Sequence, residues 1–166
     1  GKKYNVLCVK GSGWDMADIE PPGLPAVKLE PLLALKKKKY LSDEDMVAYQ
    51  KRNLIDIKSP NPSVETFLHA FLPFKYVDHT HADAVLNITN RPGGLNFCKK
   101  IFGNKVSIVP YVMPGFMLAK KIHEIYSKNP NINCLILMNH GIFTFANDCK
   151  EAYDLMIKYV SKAERE

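Results

Sequence analysis

Apolar residues occur along the chain in short runs that prolines, glycines and polar stretches separate. Runs rich in β-branched and other apolar residues predict strands at 5–9, 74–80, 106–109, 134–138 and 142–145. Apolar residues at helical spacing predict helices at 63–72, 82–88, 95–102 and 115–127, and a last helix from Asp148 to the end of the chain. The proline-bearing stretches 20–25 and 58–62 are predicted connectors.

Polar residues mark the start of one more helix, at Ser42. Its hydroxyl can accept a hydrogen bond from the free N–H groups of the first turn. The acidic residues at 43–45 suit the positive end of the helix dipole. We therefore expect a capped helix that begins just after Ser42.

Strands and helices alternate, but the stretch 139–141 is too short to hold a helix between the two strands that flank it. Such a tight connection joins antiparallel or consecutive strands directly. The pattern thus favours an α/β fold with a mixed or antiparallel sheet covered by helices, over a doubly wound parallel one.

Length and composition indicate one folded domain over residues 1–166, with 46% apolar and 24% charged residues. No apolar stretch approaches the roughly 20 residues of a membrane span, so we expect no membrane contact. The four cysteines form no C-x-x-C pair, which argues against a disulfide framework and a zinc ribbon. A reducing cytoplasm is the expected location.

The formal net charge is +6, and the lysine run 36–39 supplies four of the positive charges. One short basic cluster without interleaved aromatic residues is weak support for nucleic-acid binding. We expect a solvated surface turn there and no nucleic-acid partner.

The stretch YVDHTHAD (76–83) holds two histidines one residue apart at the end of a predicted strand. Residues i and i+2 of a strand point to the same side, so His79 and His81 can present their imidazoles together. Asp78 would point to the other side. The pattern fits half of a metal site, and it fits equally two polar residues at a strand end.

A third ligand would decide between these readings, and His140 is the candidate. It follows the apolar strand 134–138 and precedes a glycine that permits a tight turn. His69 and His123 lie in predicted helices, where a structural or surface role is expected. Three histidines with an open position are typical of catalytic zinc sites, whereas structural sites are closed and rich in cysteine.

Two further features could serve such a site. Glu65 in the first turn of the helix at 63–72 could act as a base, although acidic residues favour helix starts in any case. The start of that helix, with Ser63 and unpaired N–H groups, and the turn formed by Gly11, Ser12 and Gly13 are candidate anion sites. A lone G-S-G is more often a plain turn.

Five blocks in order resemble the class II aldolase/adducin family: VKGSGWDMADIE (9–20), PSVETFLHAFLPF (62–74), VDHTHADAVLNITN (77–90), VPYVMPGFMLAK (109–120) and MNHGIFTF (138–145). The resemblance covers nearly the whole chain. It is closest to the aldolase half of bifunctional rhamnulose-1-phosphate aldolase/short-chain dehydrogenase proteins.

The resemblance implies a three-layer αβα fold, with a central, mainly antiparallel sheet covered by helices, in a homotetramer with active sites at subunit interfaces. It implies His79, His81 and His140 as ligands of Zn²⁺ or another divalent transition metal. Glu65 matches the acid/base carboxylate, and Ser12, Gly13 and Ser63 match positions that bind the substrate phosphate.

The implied reaction is cleavage of a ketose 1-phosphate to dihydroxyacetone phosphate and an aldehyde. The metal would polarise the substrate carbonyl, and Glu65 would move the proton on dihydroxyacetone phosphate. A sugar-phosphate 4-epimerase or a dehydratase would use the same histidines, and an adducin-like interaction domain would keep the fold without catalysis.

Relative to the family pattern, we expect the domain to lack its N-terminal loop, which completes the phosphate pocket, and its C-terminal end. A fused dehydrogenase domain is a possible partner in a full-length protein.

Overall fold

The computed structural model describes residues 3–166, which form two compact units. The first comprises 3–71 and 113–123, and the second 72–112 and 124–166. In chain order the elements are β1 (Val6–Cys8), β2 (Ala26–Lys28), α1 (Leu29–Ala34), α2 (Asp43–Arg52), α3 (Thr66–Phe71), β3 (Tyr76–Thr80), α4 (Asp83–Thr89), α5 (Gly94–Phe102), β4 (Val106–Val109), α6 (Phe116–Lys128), β5 (Cys134–Leu137), β6 (Gly141–Ala146) and α7 (Cys149–Glu164). Two 3₁₀ turns lie at Pro21–Gly23 and Leu35–Lys37.

The first unit combines a two-stranded antiparallel sheet with helices. β1 pairs with β2, and α3 packs near α1. Three phenylalanines, Phe67, Phe71 and Phe116, meet edge to face with ring centroids 5.5–6.2 Å apart. All three rings are fully buried. This aromatic cluster ties α3 to the start of α6 and forms the centre of the unit's core.

The second unit is built on a four-stranded sheet with the order β3-β6-β5-β4. β3 pairs with β6 and β6 with β5 in antiparallel orientation, whereas β5 and β4 are parallel. Every residue of β5 and β6 is buried, including Thr144, whose hydroxyl donates to the carbonyl oxygen of Ala152 at 2.9 Å. Helices α4, α5 and α7 pack on this sheet around buried residues such as Val85, Cys98, Ile136, Ile142 and Leu155.

The fold class predicted from the sequence is confirmed: the protein is α/β, with helices covering a mainly antiparallel sheet. The predicted strand at 106–109 matches β4 at both ends. Ser42 does cap α2, because its hydroxyl accepts a hydrogen bond from the amide of Asp45 at 3.1 Å. Asp148 caps α7 in the same way through the amide of Glu151 at 3.0 Å.

Two elements were not predicted. Strand β2 has only three residues and exists through its pairing with β1 and a bridge from Val27 to Leu54. Helix α1 has Pro31 in its first turn. A helix tolerates proline there, but a proline in so short a segment obscures the helical spacing of its apolar residues in the sequence. Among the described residues, no helix is long and apolar enough to cross a bilayer.

Candidate metal centre and phosphate-binding loop

His79 sits near the end of β3 in a fixed orientation. Its Nδ1 lies 2.9 Å from the carbonyl oxygen of Ile142 on β6. Because a carbonyl only accepts, Nδ1 carries the proton, and the lone pair of the neutral ring is on Nε2. The ring also stacks on Phe143, with centroids 4.0 Å apart and planes 10° from parallel. The fold therefore presents Nε2 of His79 as a ligand atom.

His81 follows the end of β3 and lies on the same side as His79. The two Nε2 atoms are 3.0 Å apart. Two nitrogens that each lie about 2.05 Å from a tetrahedral zinc ion are about 3.3 Å apart. The predicted same-side arrangement is confirmed, at a spacing close to that of a shared ion. Asp78, which precedes His79 on the strand, is half-buried, and burial raises the pKa of its carboxyl group.

His140 reaches the other two histidines from a turn between β5 and β6. Its amide donates to the carbonyl oxygen of Leu137 at 3.2 Å, and its side chain is buried. The His140 ring centroid lies 5.2 Å from that of His79 and 5.1 Å from that of His81. One ring nitrogen from each histidine lies within 4.8 Å of the others. The three predicted ligands thus converge within the second unit.

Gly141 has a different role from the one expected. The left-handed residue of this turn is Asn139, with φ +57°, and not the glycine. A Cβ at Gly141 would lie 2.5 Å from the carbonyl oxygen of Thr80, 3.1 Å from Cδ2 of His81 and 3.2 Å from Cε1 of His79. A side chain at this position would therefore push into the histidine cluster. The glycine is needed for space and not for backbone freedom.

This donor set fits a divalent transition metal. Imidazole nitrogens suit zinc and its neighbours in the first transition series. The hydrogen bond from His79 Nδ1 to Ile142 is the outer contact that metal-bound histidines commonly make, since it sets the tautomer. Three neutral ligands leave a coordination position for a substrate or water.

The predicted phosphate-binding residues lie together in the first unit. The backbone around Gly11 pairs with that around Pro62 in a short antiparallel bridge. The Ser12 amide donates to the carbonyl oxygen of Asn61 at 2.8 Å, and the Ser63 amide to that of Lys10 at 3.1 Å. Both of these amides are thus engaged within the protein, contrary to the expectation of unpaired N–H groups at Ser63.

What these residues can offer an anion is their hydroxyl groups and the exposed backbone at Gly13. The Gly13 backbone has φ +83°, a left-handed conformation that favours glycine, and a Cβ there would meet nothing within 4 Å. Ser12 and Gly13 are exposed, and Ser63 is half-buried. The open surroundings leave room for a ligand beside the turn.

Lys10 was missed by the sequence analysis. Its ammonium group donates to the carbonyl oxygens of Gly11 at 3.2 Å and Trp14 at 2.7 Å. It therefore holds the two ends of the turn that contains Ser12 and Gly13, and it brings a positive charge there. A lysine at the end of a strand gives no sequence signal for such a contact.

Glu65 belongs to the first unit and lies just before α3. Its side chain is buried, and its amide donates to Oγ of Ser63 at 3.2 Å. Its carbonyl oxygen accepts from the amides of Leu68 and His69, so it forms part of the first turn. Glu65 is thus fixed next to the predicted phosphate-binding serine.

The remaining histidines and the lysine run lie in the first unit. His123 packs edge to face on Phe71, and burial, with Lys36 and Lys120 nearby, lowers the pKa of its imidazole. Lys36 turns inward and donates to the carbonyl oxygen of Phe71 at 3.1 Å, whereas residues 37–39 are exposed as expected. His69 is half-buried on α3.

Comparison with known proteins agrees with the fold. The model of the Class II Aldolase and Adducin N-terminal domain matches residues 2–165. The uncharacterized oxidoreductase YuxG of Bacillus subtilis (strain 168) is 39% identical over 165 residues, which are 99% of this chain. The chain spans only 24% of that relative's length.

The chain is also similar to solved structures of other proteins. The N-terminal class II aldolase domain of a conserved protein from Thermoplasma acidophilum is 44% identical, with a TM-score of 0.89, over 96% of this chain and 74% of that one. The L-fuculose-1-phosphate aldolase of Thermus thermophilus is 17% identical, with a TM-score of 0.58, over 93% and 73%. At that identity the second likeness shows the fold alone. By sequence and by fold, the chain belongs to the class II aldolase/adducin family.

Proposed function

We propose that the protein is a metal-dependent aldolase that cleaves a ketose 1-phosphate to dihydroxyacetone phosphate and an aldehyde. The observation that carries the proposal is the convergence of His79, His81 and His140, with one nitrogen of each within 4.8 Å of the others. A module that only binds partners has no need for an open three-histidine site. Membership of the aldolase family supports a sugar phosphate as the substrate.

We expect Zn²⁺ or another divalent transition metal to be held by the three histidines. When bound, such an ion supplies Lewis acidity toward a substrate carbonyl. The protein's own contribution is to hold the ligand nitrogens in place. The contact of His79 with Ile142 and its stacking on Phe143 fix one ring, and the turn at Asn139 delivers His140.

Glu65 is proposed as the acid/base group that moves a proton on the carbon skeleton of dihydroxyacetone phosphate. A buried carboxyl group on a rigid first turn loses little freedom on substrate binding, which favours proton transfer at one defined atom. The acidic residue could instead only stabilise the helix start, and Glu65→Gln separates the two roles. The glutamine keeps the shape of the side chain but cannot exchange a proton.

Ser12, Gly13 and Ser63 are proposed to bind the substrate phosphate. The bridge between Gly11 and Pro62 holds the two serines on neighbouring segments. Hydroxyl groups donate to phosphate oxygens, and the Lys10 ammonium adds a favourable charge next to the turn. Binding the phosphate would hold the ketose at the turn that contains Ser12 and Gly13.

The test is incubation of the purified protein with a panel of ketose 1-phosphates, with and without a chelator. Release of dihydroxyacetone phosphate is followed with a coupled reductase. We expect release from at least one substrate, its loss with chelator and its return when the metal is restored. His81→Ala should abolish the release, whereas His123→Ala should not, because His123 packs on Phe71 in the first unit.

The alternatives give different results in the same assay. A 4-epimerase would convert the sugar phosphate to its epimer and a dehydratase would release water, in both cases without dihydroxyacetone phosphate. An adducin-like interaction domain would hold no divalent ion after purification and would be unchanged by His79→Ala. Any of these results would overturn the aldolase proposal.

The assembly and the location are also proposals. We expect a homotetramer, which light scattering on the purified protein would measure, and a dehydrogenase partner domain, in keeping with an oxidoreductase as relative. The described cysteines are all free thiols, and burial raises the pKa of Cys98 and Cys134. Free thiols suit a reducing cytoplasm.

A further inference from the structure

Helix α4 leads from His81 to Asn90, a residue that contacts the turn before His140. It begins at Asp83, two residues after His81, and ends at Thr89. Asn90 follows as the capping residue, and its amide donates to the carbonyl oxygen of Leu86 at 2.9 Å. Asn90 therefore has a defined position relative to the histidines at the start of the helix.

The side chain of Asn90 contacts the turn that carries His140. Nδ2 of Asn139 donates to Oδ1 of Asn90 at 3.1 Å, although the two residues are 49 positions apart in sequence. The hydroxyl of Thr89 lies 3.4 Å from the same oxygen. Within residues 3–166, Asn139 is the one residue other than glycine with a positive φ, at +57°. This turn is thus held by a tertiary contact as well as by its own backbone.

We infer that Asn90 is a positioning residue for the metal site. By accepting a hydrogen bond from Asn139, it stabilises the left-handed turn that places His140 next to His79 and His81. This inference rests on the proposed function, because positioning matters only if the three histidines act together. Nothing in it requires Asn90 to touch the metal or the substrate.

The direction of the His140 side chain depends on the backbone of Asn139. His140 directly follows Asn139, so a change in the backbone angles of Asn139 rotates the whole His140 side chain. Asparagine tolerates the left-handed region but also populates ordinary conformations. The hydrogen bond to Asn90 adds a preference for the conformation that directs the His140 ring into the cluster. A site must hold its ligands to within about half an ångström to bind well.

The test compares four variants in their affinity for Co²⁺, measured against a competing chelator, and in the visible spectrum of the bound ion. Asn90→Ala removes the acceptor. Asn90→Asp keeps an oxygen that can accept from Asn139. Asn139→Gly keeps the left-handed backbone but lacks the side-chain donor. Asn87→Ala is the control, since Asn87 is exposed on the same helix.

We expect Asn90→Ala and Asn139→Gly to lower Co²⁺ affinity about threefold to tenfold, the range that one exposed hydrogen bond supports. Both should also alter the visible spectrum. Asn90→Asp should have the same spectrum as the unmodified protein, and Asn87→Ala should leave affinity and spectrum unchanged. Unaltered binding and spectrum in Asn90→Ala, or an equal change in Asn87→Ala, would overturn the inference.

A measurement without metal separates this inference from the proposed function. Nuclear Overhauser contacts between histidine ring protons report the cluster directly, since the ring centroids lie 4.8–5.2 Å apart. Asn90→Ala should weaken the contacts of His140 and keep the one between His79 and His81. If the unmodified protein binds no metal, the proposed function fails, and these contacts alone decide the inference. If Asn90→Ala does not fold, Asn139→Gly decides it.

Discussion

Replacing Gly141 by alanine tests the tight packing of the histidine cluster. The added Cβ would lie 2.5 Å from the carbonyl oxygen of Thr80, whereas real Cβ atoms stay beyond 3.0 Å. The Thr80 carbonyl or β6 must therefore move by at least about half an ångström. The rings of His79 and His81, at 3.2 and 3.1 Å, would be displaced with it.

The cost follows from that displacement. Overpacking of this kind destabilises a fold by about 1–3 kcal/mol. For a chain of this size the loss corresponds to a Tm lower by about 2–12 °C. Ligand distances in a working metal site hold to within about 0.2 Å. The metal affinity of Gly141→Ala should therefore fall by about 10–100-fold, as it does when outer contacts of a metal site are lost.

The assay combines thermal unfolding of the metal-free protein with chelator competition for Zn²⁺. Gly103→Ala is the matched control. Gly103 has φ +76° and ψ −166°, a conformation that essentially only glycine adopts, with open space around its Cβ position, so alanine there costs about 1–3 kcal/mol through backbone strain alone. It should lower Tm without changing metal affinity. Gly141→Ala with unchanged affinity, or an equal affinity loss in Gly103→Ala, would refute the reasoning.

Substitutions at four further positions test other parts of the structure. His140→Ala should remove stoichiometric zinc from the purified protein, measured by mass spectrometry, with circular dichroism showing an unchanged fold; retained zinc would contradict a three-histidine site. Ser12→Ala should raise the KM for a phosphorylated substrate and leave Tm unchanged, because the side chain is exposed while the amide keeps its bond; an unchanged KM would count against the phosphate-binding role. Ser42→Ala should cost about 1 kcal/mol in urea unfolding through the lost cap, and Ser42→Asp should not. Burial, with a contribution from Cys134, raises the pKa of Tyr159 to about 12, above its usual value of 10 in the unfolded chain. As pH rises, Tyr159 therefore loses its proton later in the folded state than in the unfolded chain, and the free energy of unfolding should fall between pH 10 and 12. The fall should be smaller in Tyr159→Phe. An equal dependence of the unfolding free energy on pH in both proteins would contradict the raised pKa.

The sequence predicted the regular elements and the shared side of His79 and His81 well, because both depend on local patterns. A strand alternates sides at every residue, so the spacing of His79 and His81 predicts their shared side from two residues alone. The cap at Ser42 likewise depends only on the amide three residues later. Both features can therefore be recognised from a few neighbouring residues in the sequence.

The features that were missed depend on contacts between distant segments. β2 is defined by its pairing with β1, and the role of Gly141 by the Thr80 carbonyl, which lies on another strand. The contact of Asn90 with Asn139 and that of Lys10 with Trp14 need the folded backbone to bring them together. No spacing rule on one segment contains that information.

The pairing of β3 with β6 also has a consequence for folding. His79 and Ile142 are 63 positions apart, so this part of the sheet can form only after a long loop has closed. Contacts of such large sequence separation form slowly. Until this pairing forms, His140 is not held beside the other two histidines, so a partly folded chain presents only His79 and His81 together as metal ligands. An ion that needs all three histidines would therefore bind only once the sheet has closed in its native register.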